Sequence, residues 1–140
     1  MSTSDSAETI VPDTEHRGLI GRLPPLPRDL AQVAGFDRPI GWWLLFWPCV
    51  AGVWLSGAGW QIGLLLWMLL GAIAMRGAGC VYNDITDAEL DAKVARTASR
   101  PIASGRVSKR AAWIWLAALA FVGLIVLLQL PLLAQAIALA

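Results

Sequence analysis

The chain has 140 residues, enough for one small domain, but 57% are hydrophobic and 15% charged, against the usual quarter charged in soluble proteins. Residues 39–75 and 111–140 contain no charged side chain, and a soluble core of this size cannot hide two such runs. The net charge of +1 says little about partners, and no nucleic-acid partner is expected.

Residues 1–22 are polar and carry Asp5, Glu8, Asp13 and Glu15. They predict a disordered start that matches neither a secretory signal nor a transit peptide, both of which avoid acidic residues and carry basic ones. Leu23-Pro24-Pro25-Leu26-Pro27 predicts a stiff, non-helical connector. Residues 28–37 predict a short interfacial amphipathic helix, with Leu30, Val33, Ala34 and Phe36 apolar. The segment 23–140 is read as one transmembrane domain. A first span is predicted over residues 40–55, with Pro39 at its start and Pro48 as a kink. Trp42, Trp43 and Trp47 fall near one interface and Trp54 and Trp60 near the other, as in an aromatic belt. A second span is expected over about 62–81 and a third over about 112–130, each near the length a bilayer requires. Trp113 and Trp115 lie at the start of the third span. Pro131 interrupts the apolar pattern, and residues 132–140 read as the start of a fourth span cut short.

The basic residues set an orientation. Arg17, Arg22, Arg28 and Arg38 precede the first span, the other seven Lys and Arg lie between Arg76 and Arg110, and residues 56–61 have none. The positive-inside rule puts the N-terminal region and residues 82–110 in the cytoplasm of a multi-pass membrane protein, for which a bacterial inner membrane is the expected location. Cys49 and Cys80 have no metal or redox spacing. The only histidine, His16, lies in the polar tail, so no Ser-His-Asp or Cys-His set is available. No glycine-rich phosphate loop follows a strand.

The segment 81–110 holds four of the ten acidic and six of the eleven basic residues. On one helix starting at Arg76, Asn83 falls near about −20°, Asp87 near about +20° and Asp91 near about +60°. Asp84 falls at the edge of this stripe, and Glu89 on the far side. Carboxylates sharing a helical face repel one another, which makes sense around a divalent cation. Mg²⁺ takes one or two carboxylates plus substrate phosphates. The alternative is a solvated acidic loop, or acids paired with Lys93 and Arg96. Arg76 reads either as a snorkelling residue or as an anion ligand. Arg96 and Arg100 suit bidentate phosphate binding, or else serve only the charge asymmetry. Lys93, Arg106, Lys109 and Arg110 read as topological charges, and Ser104 or Ser108 as a cap for the next helix.

At Asn83-Asp84-Ile85-Thr86-Asp87-Ala88-Glu89-Leu90-Asp91 and Arg96-Thr97-Ala98-Ser99-Arg100-Pro101 the chain resembles the UbiA superfamily of intramembrane prenyltransferases. The first block matches the pattern NDxxDxxxD and the second RTxxRP. The blocks Asp37-Arg38-Pro39-Ile40-Gly41-Trp42-Trp43 and Met75-Arg76-Gly77-Ala78-Gly79-Cys80 are similar to the 4-hydroxybenzoate polyprenyltransferase branch, and the resemblance covers about residues 20–130. It implies an all-α transmembrane bundle of about nine spans, each needing about 20 apolar residues, of which three to four would be present. It implies transfer of a polyprenyl group from polyprenyl diphosphate to the ring of 4-hydroxybenzoate in ubiquinone synthesis, with Mg²⁺ as cofactor and the lipid bilayer as surroundings. Asn83, Asp87 and Asp91 would hold the metal, with Asp84 as a flanking acid. Arg96 and Arg100 would bind the diphosphate and Arg76 the aromatic carboxylate. Asp87, Asp91, Arg96 and Arg100 would form the catalytic set. A second aspartate-rich motif of the family has no counterpart, so the chain is expected to lack half of the site, to depend on a C-terminal half and to be inactive alone. A non-catalytic truncated membrane protein or half-subunit, and a sister prenyltransferase with another acceptor, stand as alternatives.

Overall fold

The computed structural model describes residues 19–140, and the described part is helical. The disordered start expected over residues 1–22 lies mostly outside the described residues; its end, Ile20–Arg22, is a short 3-10 turn. Helix α1 spans Pro25–Val33. It begins inside the proline-rich segment, which corrects the expected non-helical connector. The first-turn N–H groups of a helix have no intrahelical acceptor, so Pro25 and Pro27 remove no hydrogen bond there.

Helix α1 stops in a Schellman turn. Phe36 N–H donates to the Ala31 carbonyl at 3.0 Å and Gly35 N–H to the Gln32 carbonyl at 2.9 Å. This geometry needs a left-handed residue, supplied by Gly35 at φ 68°. The reversal places Asp37 and Arg38 immediately before helix α2, Ile40–Leu55. Pro48 sits inside α2 without ending it. Gly57 and Gly59, both at positive φ, turn the chain into helix α3, Ile62–Thr86. Trp54 and Trp60 meet edge to face across this turn, with ring centroids 5.3 Å apart.

Helix α3 has 25 residues, about 37 Å at 1.5 Å per residue, longer than a hydrocarbon core of about 30 Å. Its last turns therefore reach beyond an apolar layer and can carry polar side chains. After the single turn α4, Ala88–Asp91, an irregular stretch leads to helix α5, Lys109–Leu128. Of the two candidate caps, Ser108 is the one used: its Oγ accepts from Ala111 N–H at 3.2 Å. Helix α6, Leu132–Leu139, follows Pro131. Two described helices, α3 and α5, are long and apolar enough to cross a membrane, and α2 is a shorter apolar helix.

Helix α3 packs against α5 and, less extensively, against α2. Glycines set the α3–α5 approach. A Cβ on Gly77 would meet Leu119, Phe36 and Ala34 at 3.2–3.4 Å, and one on Gly71 would stand 3.0 Å from Val126. The core gathers at one end of this pair, where Val33, Ala34, Val81, Ile85, Ile102, Val107 and Ala112 are buried together. Elsewhere the helices present apolar side chains outward, among them Trp47, Leu66, Ile114 and Phe121. Exposed apolar faces of this extent suit lipid or further helices rather than water.

Candidate active site at the end of the helix pair

Directly beside the core lies a cavity of about 330 Å³, within the size range of small-molecule sites. One wall is the end of α3, which contributes Arg76, Cys80, Asn83 and Asp84, with Asp87 at its C-cap. Their spacing keeps them on one helical stripe. The facing wall comes from the α1–α2 reversal: Gln32, Val33, Gly35, Asp37, Arg38, Ile40 and Gly41. Arg100 and Pro101 close a third side. The cavity thus gathers three carboxylates (Asp37, Asp84, Asp87) and three guanidinium groups (Arg38, Arg76, Arg100). Such balance accommodates an anion and a cation together better than either alone.

The α3 stripe does not continue to Asp91 as one helix. Helix α3 ends at Thr86, and Asp87 leaves helical geometry at φ −93°, ψ 1°. Thr86 Oγ1 donates to the Asn83 carbonyl at 2.9 Å, and Asp87 N–H donates to the same carbonyl at 2.9 Å. Asp91 then sits on the separate turn α4. Its carboxylate accepts from Arg100 Nη1 at 3.0 Å, and the same nitrogen donates to Asp84 Oδ1 at 3.3 Å. The cavity lining therefore contains Asn83, Asp84 and Asp87, and not Asp91. The ranking by helical phase put Asp91 on the ligand face and Asp84 at its edge; the cavity lining favours Asp84, with Asp91 one Arg100 nitrogen away. A rigid 100° step fails once the helix ends.

Arg100 lines the cavity, whereas Arg96 is exposed and does not. Between them, Thr97 is buried and its Oγ1 donates to the Asp91 carbonyl at 3.1 Å. This bond folds the loop back so that Arg100 reaches α3. Arg76 lies over the start of α2: a Cβ on Gly41 would stand 2.5 Å from its Nε. Asp37, Arg38 and Gln32 were not singled out by sequence as site residues. Only the turn made by Gly35 brings them to the cavity, and a lone glycine between helices is a weak signal.

Among the described residues, no three His, Cys, Asp or Glu side chains form a metal-holding group. A self-sufficient calcium-type cage is therefore not present there. Two carboxylates and an amide oxygen do match Mg²⁺ that completes its shell with phosphate oxygens and water.

The fold and cavity define an all-α, multi-pass membrane protein with a mixed-charge ligand site at the end of its helices. The model of the UbiA prenyltransferase family matches residues 45–140, and the chain belongs to that family. It is 46% identical over 101 residues to a 4-hydroxybenzoate octaprenyltransferase of Pseudomonas aeruginosa, covering 71% of this chain and 34% of that protein. It is 43% identical over 132 residues to the mitochondrial 4-hydroxybenzoate polyprenyltransferase of Drosophila melanogaster, covering 92% of this chain and 33% of that protein. A 4-hydroxybenzoate octaprenyltransferase of Chromohalobacter salexigens is 40% identical, over 85% of this chain and 40% of its own length. The chain thus spans about a third of the length of the curated relatives it matches. No solved structure matches it.

Proposed function

We propose that this chain forms the donor-binding part of a Mg²⁺-dependent 4-hydroxybenzoate polyprenyltransferase acting in ubiquinone synthesis. The observation that carries the reading is the cavity that gathers Arg76, Asn83, Asp84 and Asp87 along one wall with Arg100 on another, in a family member whose relatives are named for this transfer.

Asn83, Asp84 and Asp87 would hold Mg²⁺ against the diphosphate of the polyprenyl donor. Bound there, Mg²⁺ supplies Lewis-acid neutralisation of the leaving group. Arg100 turns from its two carboxylates to the diphosphate oxygens, offering a planar fork of N–H donors. Asp84 and Asp91 hold Arg100 beside the site until the donor takes over its guanidinium. Arg96, exposed in the ligand-free chain, adds a second cation if the loop closes over the donor. The allylic C–O bond breaks with the electron pair leaving on the diphosphate. The ring carbon beside the phenol hydroxyl attacks the resulting cation, a C–C bond forms, and the ring proton passes to the released diphosphate. The prenyl chain and the surrounding bilayer would keep water from the cation.

Prenyl transfer from polyprenyl diphosphate to 4-hydroxybenzoate in membranes carrying the full-length enzyme, of which this chain forms the donor-binding part, tests this reading. Product that appears with Mg²⁺ and disappears with EDTA is expected. Transfer undiminished by EDTA would remove the metal from the account.

Arg76 is the proposed partner of the acceptor carboxylate. What supports this is its course across Gly41, where a side chain would displace it. Gly41→Ala is expected to raise KM for 4-hydroxybenzoate about tenfold while KM for the donor stays within about twofold. An unchanged acceptor KM would separate Arg76 from this role.

We further propose that the chain lies in the inner membrane of a bacterium, with residues 82–110 in the cytoplasm, because both basic segments then lie inside. A cysteine introduced at Gly59 is expected to react with an impermeant thiol reagent from the periplasm, and one at Ser104 only after the cells are opened. The reverse pattern would overturn the orientation.

A further inference from the structure

Asp29 is one of the most enclosed charged side chains described, at 4% exposure. It belongs to α1, outside the acidic segment of α3, and the proposed mechanism does not use it. Arg28 Nε lies 3.8 Å from its carboxylate, and Arg106 Nη1 donates to Oδ1 at 2.8 Å. Arg106 also donates through Nη2 to the Ser99 carbonyl at 2.7 Å and through Nε to Ser104 Oγ at 3.2 Å. One guanidinium therefore bonds α1, the residue preceding Arg100 and the far side of the same loop. The loop is closed on itself by Val107 N–H donating to the Pro101 carbonyl at 2.9 Å. A second tie holds α1 from the other side, since Trp115 Nε1 donates to the Leu30 carbonyl at 3.0 Å.

A buried carboxylate bonded to guanidinium at this distance is strongly destabilised if either partner is lost. The pair joins two walls of the cavity: α1, whose end carries Gln32 and Val33, and the loop, which carries Arg100 and Pro101. Arg100 must meet the α3 carboxylates and the diphosphate at a fixed separation. Its backbone position is set by the Ser99 carbonyl that Arg106 holds.

We propose that Asp29 and Arg106 are positioning residues for the diphosphate donor, acting through Arg100. The inference rests on the prenyl-transfer reading above. It assigns Arg106 a role beyond the topological charge expected from sequence.

The test uses the full-length enzyme in membranes with Asp29→Asn, Arg106→Ala, the double variant and Arg106→Lys. Each single variant is expected to raise KM for polyprenyl diphosphate about tenfold, with KM for 4-hydroxybenzoate within about twofold of wild type. The double variant should be no worse than the poorer single one, because the two residues act as one unit. Arg106→Lys, which keeps the charge at Asp29 but not the fork, should recover part of the loss. Hydrogen exchange supplies a readout independent of activity: Asp29→Asn should speed exchange at Gly105 and Val107. Unchanged exchange there would overturn the clamp. Faster exchange with an ordinary donor KM, additive single effects, or an equal rise in both substrates' KM would overturn the positioning role. Absence of transfer by the full-length wild-type enzyme overturns the reading beneath it, and that control tells the two failures apart.

Discussion

Asp87→Ala is expected to lower prenyl transfer at least about 10³-fold, equivalent to about 4 kcal/mol of transition-state stabilisation. The variant should still insert into the membrane, because Asp87 is exposed and ends α3 rather than packing in its core. Asp84→Ala should be similarly deficient, since Asp84 and Asp87 share the cavity wall. Asp91→Ala is expected to differ in kind. Its carboxylate bonds Arg100 outside the cavity lining, so the variant should lose donor affinity without changing the Mg²⁺ concentration required. Measured rates against Mg²⁺ and donor concentration separate these outcomes. A shifted Mg²⁺ requirement in Asp91→Ala alone would restore the ligand set expected from helical phase.

Arg100→Ala is expected to lower kcat/KM for the donor about 10²–10³-fold. Two effects add. The diphosphate loses its guanidinium, and Asp84 and Asp91 lose the cation that lies 3.3 and 3.0 Å from them. Arg100→Lys should recover only part of the rate, because an ammonium cannot reproduce the fork that bonds two oxygens at once. Initial rates across donor concentrations check this, and near-wild-type kcat/KM in Arg100→Ala would remove it from the donor site. Arg96→Ala, at an exposed position away from the cavity, should have the smaller effect.

The helical architecture was readable in the sequence wherever charge was absent. The uncharged run predicted over 40–55 is helix α2 with those bounds, Ile40–Leu55. Helix α3 outran its predicted end because hydropathy marks where apolar character stops, whereas hydrogen bonding continues to Thr86. Prolines hid the start of α1, since their usual effect as helix breakers does not apply in a first turn. Helical phase put Arg76, Asn83 and Asp87 on one stripe, and all three line the cavity, Asp87 from the C-cap of α3. Past the helix end the stripe does not extend to Asp91, which lies on α4 while Asp84 lines the cavity. Asp37 and Arg38 were out of reach because a Schellman turn delivers them. The Asp29–Arg106 pair spans 77 positions, and no periodicity or spacing rule joins residues so far apart.

The central claim is that the α3 carboxylates and Arg100 form one Mg²⁺-diphosphate site. The most direct measurement is calorimetric titration of inorganic diphosphate into the purified protein, with and without Mg²⁺, in wild type and Asp87→Ala. Binding by wild type that requires Mg²⁺, and its loss in Asp87→Ala, is the expected result. Diphosphate binding that is indifferent to Mg²⁺, or that survives unchanged in Asp87→Ala, would contradict the account.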